Sequence, residues 1–406
     1  MTNPLTPPVP PRYEPMRGLA LWGEEEKAAA VEVLESRSLF RYYGPALQRR
    51  VEDFETRFGA LHEVPHVVGV SSGTAALTCA LIGMGIPAGA EVIVPAATFI
   101  GCVSAVVAAR GVPVFADIDE SLTLDPAAWE PLVSERTFAV MPVHLNNAAA
   151  DMDPILAVAR KHGIRVLEDA AQACGVRYRG RPVGSLGDAG AFSFQLEKNI
   201  TAGEGGAVTT GDPLVHDRAA RYQDQGGQFF TSRGGERGGT EGGPFLGANL
   251  RMTEIAGALL SVQLDRLPPM LTRLRDIART IRKELSDLDV TWRALPDEEG
   301  SGGDLTLLTE NRMAARRVVT QLTAAGVPAA TLYQGRMVYQ NPAVHSGRTA
   351  WDTEWTPPSR LRTSEALLGR SVTVALGATM TDDDVAHVID SLRAALVPAG
   401  AAEGAR

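Results

Sequence analysis

One amine stands alone in the stretch AFSFQLEKNITAGEGGAVTT, residues 191–210: Glu197 and Lys198 are the only charges between Asp188 and Glu204. A lysine attacks a carbonyl only when part of it is deprotonated, a state that desolvation or a neighbouring cation favours. The apolar FSF run and the small residues of TAGEGG would give Lys198 a crowded, partly dry setting. An ordinary surface lysine ahead of a glycine turn fits the same residues. The rest of the chain decides between the two, by supplying or not supplying something for the amine to hold.

Three other stretches bear on that choice. In VSSGTAAL, residues 70–77, a strand ends in Ser-Ser-Gly-Thr and a helix begins at once. The free N–H groups and dipole of a helix start make an anion site, and Gly73 lets the backbone come close. A plain Ser or Thr cap reads equally well. In RVLEDAAQACG, residues 165–175, Glu168 and Asp169 project to opposite sides of a strand. Asp169 falls at the carboxyl end, where open α/β sheets place ligands, and a helix N-cap is the alternative. PAATFIG puts Phe99 just after another strand. A Schiff-base lysine working with pyridoxal phosphate needs a phosphate cradle, a carboxylate at the pyridine nitrogen and an aromatic face against the ring. Gly73-Thr74-Ala75, Asp169 and Phe99 offer one each.

The elements that would position these residues follow from periodicity. GEEEKAAAVEVLESRSLF, residues 23–40, reads as a helix, and RVEDFETRFGALH as a second one ending at Gly59. Six strands are expected, in VVGVSS, EVIVP, VPVFADID, FAVMPVH, IRVLEDAA and AGAFSF, with helices in GTAALTCALIGMG, FIGCVSAVVAARG and DMDPILAVARKHG. Such alternation implies a mostly parallel sheet covered on both faces. Residues 224–243 are glycine-rich and too long for an ordinary connection. From Asn249 a long helical pattern runs with a break at Pro268-Pro269. Beyond about Val290 the pattern is α+β, closing with a helix capped by Thr381.

Bulk composition narrows the partners. A net charge of −9 argues against nucleic acid, since phosphate binding needs concentrated Lys and Arg. No apolar run is long enough to span a membrane, and the start, MTNPLTPPVPPRYEP, has neither the basic nor the apolar region of a signal peptide. Cys79, Cys102 and Cys174 are scattered among small and apolar residues, as in a reducing cytoplasm. No metal site is expected from the cysteines or histidines.

VSSGTAAL, EVIVPAATFIGCVSAVVAARGVPVFADID, VLEDAAQACG, FSFQLEKNITAGEGGAV and NLRMTEIAGALLSVQLDRL together resemble the DegT/StrS family of PLP-dependent aminotransferases. The likeness runs in order over residues 24–274 and more loosely beyond. It implies an α/β, aspartate-aminotransferase-like fold (PLP fold type I). A proline-rich arm (1–22), a large domain with a seven-stranded-type sheet (23–265) and a smaller α+β domain (266–400) would make up the chain. It further implies that Lys198 binds the cofactor covalently and shuttles the proton, that Asp169 pairs with the pyridine nitrogen, and that Gln172 bonds the ring hydroxyl. Phe99 would stack on the ring, and Thr74, Ala75 and Ser193 would hold the phosphate beside Gly73. Asn249 would reach the cofactor of a neighbouring subunit, in a homodimer with shared sites.

The implied activity moves an amino group from glutamate or glutamine to a keto-sugar, keto-cyclitol or related ketone. Elimination or racemisation of an amino acid on the same scaffold is the alternative. VHLNN, with Asn146 and Asn147, departs from the family's V-H-L-Y-G, and Cys174 stands where His is frequent. The segment TLYQGRMVYQNPAVHSGRTAWDTEW lacks the Tyr-Pro-x-Leu-His of many nucleotide-sugar members. Arg41 and Tyr43, in SLFRYYGP, are candidate substrate contacts or parts of a packed aromatic turn.

Overall fold

The computed structural model describes residues 9–229, 245–349, 355, 357–358 and 360–397. A central sheet holds seven strands: β1 (His66–Val70), β2 (Glu91–Pro95), β3 (Val112–Ala116), β4 (Thr137–Val140), β5 (Arg165–Asp169), β6 (Ala189–Ser193) and β7 (Gly206–Thr210). Their spatial order is β1-β7-β6-β5-β4-β2-β3. Only β7 runs antiparallel to its neighbours, so the other six point the same way. Strands β2, β6 and β7 are buried along their whole length, as sheets covered on both faces require. The sequence reading found six strands and passed over β7, because GAVTT is short, glycine-led and without alternation.

Helices α1 (Glu24–Ser36), α2 (Arg50–His62), α3 (Gly73–Met84), α4 (Ile100–Ala108), α5 (Met152–His162), α6 (Pro213–Gln223), α7 (Glu254–Leu264) and α8 (Leu267–Glu284) surround this sheet. α3 is apolar nearly all round and packs against both the sheet and α6. α1 stops at Ser36, short of the expected Phe40, because Arg37 turns left-handed (φ 53°). α2 continues past Gly59 to His62. The expected break at Pro268-Pro269 falls instead at Asp265–Arg266, and the prolines sit in the first turn of α8, where no N–H is needed.

Beyond α8, a three-stranded antiparallel sheet is ordered β8 (Thr306–Leu308), β10 (Ser371–Val374), β9 (Ala329–Ala330). Helices α9 (Arg312–Ala324), α10 (Arg362–Arg370) and α11 (Asp382–Leu396) accompany it. Thr381 caps α11 through Asp384, as its sequence implied. Of the glycine-rich segment at 224–243, residues 230–243 lie outside the described residues. Among the described residues no helix is long and apolar enough to cross a membrane.

Period-two alternation in β6 separates core from site. Phe192 and Phe194 pack edge-on against Phe58 at 5.0 and 5.6 Å, and Phe194 meets Phe54 at 5.3 Å. Ser193, between them, turns to the opposite side. The two phenylalanines of the FSF run therefore anchor α2 under the sheet, and only Ser193 of the three lines the cavity that holds Lys198.

α2 lacks a side-chain cap of its own, since Arg49 precedes it in left-handed conformation (φ 58°). The Glu254 carboxylate, at the start of α7, accepts from the Arg50 and Val51 amides at 2.7 and 3.1 Å. Glu254→Ala strips both donors, one buried and one partly buried, of their acceptor and is expected to cost about 2–4 kcal/mol. Glu254→Gln keeps an oxygen there and loses only the charge at the helix start, about 1 kcal/mol. Urea unfolding midpoints check this ordering; an alanine variant as stable as the parent would refute the capping role.

Candidate active site

The carboxyl ends of β1, β2, β5 and β6 open onto one cavity of about 760 Å³. Its walls include Gly73 and Thr74 after β1, Phe99 after β2, Asp169 and Gln172 at and after β5, and Ser193 and Lys198 at and after β6. Each of these is a residue that sequence reading had singled out. Parallel strands bring them together, because all four chains leave the sheet on the same edge.

Glu168 and Asp169 diverge as the pleat requires. Glu168, fully buried, accepts from the Gly184, Leu186 and Gly187 amides and pairs with His144 Nε2 at 2.9 Å. Asp169 turns into the cavity and is 4% exposed. Its Oδ1 accepts from the Ala171 amide at 2.9 Å, and its Oδ2 from the Cys102 thiol at 2.8 Å. A turn follows and not a helix, so the bond to Ala171 is an Asx-type turn and the N-cap alternative does not hold. Among the described residues no cation lies within ion-pairing distance of this carboxylate. Cys102 also meets Thr98 Oγ1 at 2.8 Å, and burial beside Asp169 holds its thiol well above the usual range.

The Lys198 amine is driven below its ordinary value chiefly by burial. Asp169 opposes that shift and Arg17 adds to it. The backbone here is pinned by the N-terminal arm: Gly18 N donates to Lys198 O at 3.2 Å. A Cβ at residue 18 would stand 2.7 Å from that oxygen and 2.9 Å from Asn199 O, so only glycine admits the contact.

Gly73 plays the corresponding part at the start of α3, where an added Cβ would lie 2.7 Å from Ser193 Cβ. The Gly73 and Thr74 amides precede the helix's own bonding ladder. Ser72 caps α3 by accepting from the Ala75 amide at 3.1 Å, so the Ala75 N–H expected at an anion is turned to the cap instead. Phe99 is 60% exposed, an aromatic face presented to the cavity.

Gln172 donates through Nε2 to Tyr333 Oη at 2.9 Å. Tyr333 and Gln334 both adopt left-handed backbone, φ 47° and 57°, a strained arrangement for such side chains and one that aims the phenol inwards. Asn146 and Asn147 are left-handed too, at φ 50° and 61°. Asparagine tolerates that conformation, which explains how VHLNN replaces a turn ending in glycine. Asn146 Nδ2 reaches Asp304 at 2.8 Å, tying the cavity wall to the start of the smaller sheet.

Three expected residues lie elsewhere in this chain. Arg41 gives its guanidinium to Glu55, at 2.8 and 2.9 Å, and to Gly69 O at 3.0 Å, and so fastens α2 to β1. Arg41 is not among the residues that line the cavity of this chain. Tyr43 is 63% exposed and packs on Phe40 and Phe229, which favours the aromatic-turn reading. Asn249 is exposed and bridges Asp224, away from the cavity. Sequence reading missed Arg17, Cys102 and Tyr333; of these only Cys102 adjoins a motif, PAATFIG, that carried a signal.

The residues present fit pyridoxal phosphate. Asp169 is a buried anion facing only neutral donors, as a carboxylate meant for a protonated heterocycle would be. Lys198 is a desolvated amine in the same cavity, and the start of α3 with Ser193 offers donors to a phosphate.

Residues 21–393 match the DegT/DnrJ/EryC1/StrS aminotransferase family. An L-glutamine:2-deoxy-scyllo-inosose aminotransferase from Micromonospora echinospora is 41% identical over 246 residues, a match spanning 59% of this chain and 59% of that relative's length. A dTDP-3-amino-3,4,6-trideoxy-alpha-D-glucose transaminase from Streptomyces venezuelae is 35% identical over 386 residues, 94% of this chain and 93% of that protein. The X-ray structure of S. venezuelae DesV, in complex with a ketimine intermediate, superposes with a TM-score of 0.79 at 33% identity, covering 92% of this chain and 95% of that one. With its matched residues, its sheet order and its strand-end cavity, the chain belongs to the DegT/DnrJ/EryC1/StrS aminotransferase family and has the aspartate-aminotransferase-like fold.

Proposed function

We propose that this chain is a pyridoxal-phosphate-dependent aminotransferase, moving an amino group from glutamine or glutamate to a keto-sugar or keto-cyclitol. The observation that carries this reading is the presence, in one cavity, of the desolvated Lys198 amine and the buried Asp169 carboxylate, which among the described residues forms no ion pair. The names of the relatives support the acceptor class, one a cyclitol aminotransferase and the other a nucleotide-sugar transaminase.

In this reading the Gly73 and Thr74 amides and the Ser193 hydroxyl hold the phosphate, and Phe99 covers one ring face. Asp169 keeps the ring nitrogen protonated, held in place by the Cys102 thiol and the Ala171 amide. Gln172, itself fixed by Tyr333, orients the ring hydroxyl. When bound, the cofactor supplies an electron sink that stabilises negative charge on the substrate carbon. Lys198 Nζ takes the proton from the donor's α-carbon, and in the second half of the cycle delivers a proton to the acceptor's carbon. Depression of its pKa by burial leaves a larger share of the amine as free base near neutral pH.

A twofold dimer belongs to the same proposal. Leu246 is 93% exposed, Tyr43 63% and Leu39 47%, on segments that flank Asn249 or the aromatic turn. Such exposed apolar side chains suit an interface that would carry Asn249 to a neighbouring site. A cytoplasmic location accords with three buried free cysteines.

Purified protein should show the visible band of lysine-bound cofactor, and borohydride should fix the label on Lys198. Adding glutamine or glutamate should abolish that band; a colourless protein indifferent to added pyridoxal phosphate would refute the reading. Lys198→Ala should lower turnover by about 10²–10⁴-fold, the usual contribution of a positioned acid–base group. Asp169→Asn should retain the fold and lower turnover by about 10²-fold or more.

Light scattering should give twice the chain mass of 43.1 kDa. A monomer at micromolar concentration would remove the shared-site role of Asn249.

A further inference from the structure

Arg17 is a cation that no carboxylate among the described residues pairs with. It lines the cavity with Lys198, Gln172, Asn146, Asn199 and Tyr333. Its Nε is buried and makes no hydrogen bond. Nη1 lies 2.6 Å from the neutral carboxamide of Asn147, and among the described residues no carboxylate comes within ion-pairing distance of the guanidinium. The negative field that acts on it is that of Asp304, whose oxygens are already occupied. They accept from Arg293 Nη1 at 3.1 Å, Asn146 Nδ2 at 2.8 Å and the Thr306 amide and hydroxyl at 3.1 and 2.9 Å. Burial accordingly draws Arg17 down to about 10, with Asp304 only partly offsetting it.

Leaving a guanidinium partly desolvated and unpaired is costly, and proteins seldom do so away from a ligand. The position is also fixed. The next residue, Gly18, is bonded to the Lys198 carbonyl and packed too tightly against it for any side chain. Arg17 is thereby held beside the residue whose amine works on the substrate. In an amino-acid donor, the α-carboxylate is one bond from the carbon that loses its proton, so the group that binds this carboxylate must stand close to Lys198. A guanidinium fork matches a carboxylate with two parallel hydrogen bonds. The acceptor, a ketone, brings no such anion to its reacting carbon.

We infer that Arg17 binds the α-carboxylate of the amino donor, and that it selects amino acids for the first half-reaction; this rests on the aminotransferase reading of the cavity. The neutral Asn147 carboxamide steadies the guanidinium without competing for its charge. When the ketone occupies the cavity the same fork faces hydroxyl groups, which it can satisfy as a donor. One cavity can then serve a charged donor and a neutral acceptor.

The test titrates glutarate, a dicarboxylate that cannot be transaminated, into the holoenzyme by calorimetry, for the parent, Arg17→Gln and Arg17→Lys. Loss of a charge-assisted pair is expected to weaken glutarate about 10- to 100-fold in R17Q, with R17K between the two. The KM for the amino donor should rise in parallel while that for the ketone stays put. The visible band and borohydride fixation on Lys198 should persist in both variants, showing an intact fold and cofactor site. Glutarate affinity in R17Q within about twofold of the parent, or no glutarate binding by the parent, would overturn the assignment. A chain that takes up no pyridoxal phosphate would instead sink the aminotransferase reading. The same titration on that cofactor-free chain still decides Arg17, by whether glutarate binding falls in R17Q.

Discussion

Asp169 is a carboxylate with 4% of its surface exposed, met only by a thiol and an amide N–H. Burying an anion without a cation is expensive, and its usual relief, protonation, would destroy its use. The surrounding structure keeps it in place. β5 delivers it at the edge of the sheet, the turn at Ala171 locks one oxygen, and Cys102, reached from α4 and fixed by Thr98, locks the other. A thiol donor adds no charge and leaves the carboxylate's field to act on whatever enters the cavity. That field extends to Lys198, where it works against burial and favours the charged amine.

The sheet makes this arrangement possible by separating tasks on alternate residues. Glu168 takes three loop amides and His144 on the covered side, while Asp169 serves the cavity. Ser193 faces the cavity, while Phe192 and Phe194 grip the aromatic side chains of α2. Asp169 and Ser193 are thus each flanked by neighbours that hold the strand in place. A slip of one residue in either strand would exchange the two sets, putting an aromatic ring or a structural glutamate where the ligand belongs. Packing of the core and register of the site are the same constraint.

What was legible in the sequence was what lies within a few residues of a strand end. Lys198, Asp169, Gly73, Phe99, Gln172 and Ser193 each follow a recognisable apolar run, and parallel topology carries them to one edge. Arg17 and Tyr333 reach the cavity from the N-terminal arm and from just beyond the ninth strand, by closures that no local pattern encodes. Arg41 shows the same limit from the other side: the resemblance put it near the substrate, but its partner Glu55, fourteen positions on, is set by the packing of α2 on β1 and is written in no local pattern. β7 escaped notice because a strand bonded on both sides needs no amphipathic alternation.

Two basic groups, Arg17 and Lys198, therefore share one cavity with the carboxylates of Asp169, Glu197 and Glu204. Arg17 pushes the Lys198 amine towards its free-base form, and any carboxylate that neutralises Arg17 removes part of that push. Binding of an anionic amino acid and the basicity of Lys198 are then coupled through space. An anion at Arg17 makes the amine a stronger base, at the stage when it has to take a proton from carbon. The sign of this coupling follows from charge and proximity alone, and it turns the ordering of the N-terminal arm over Lys198 into part of the acid–base chemistry.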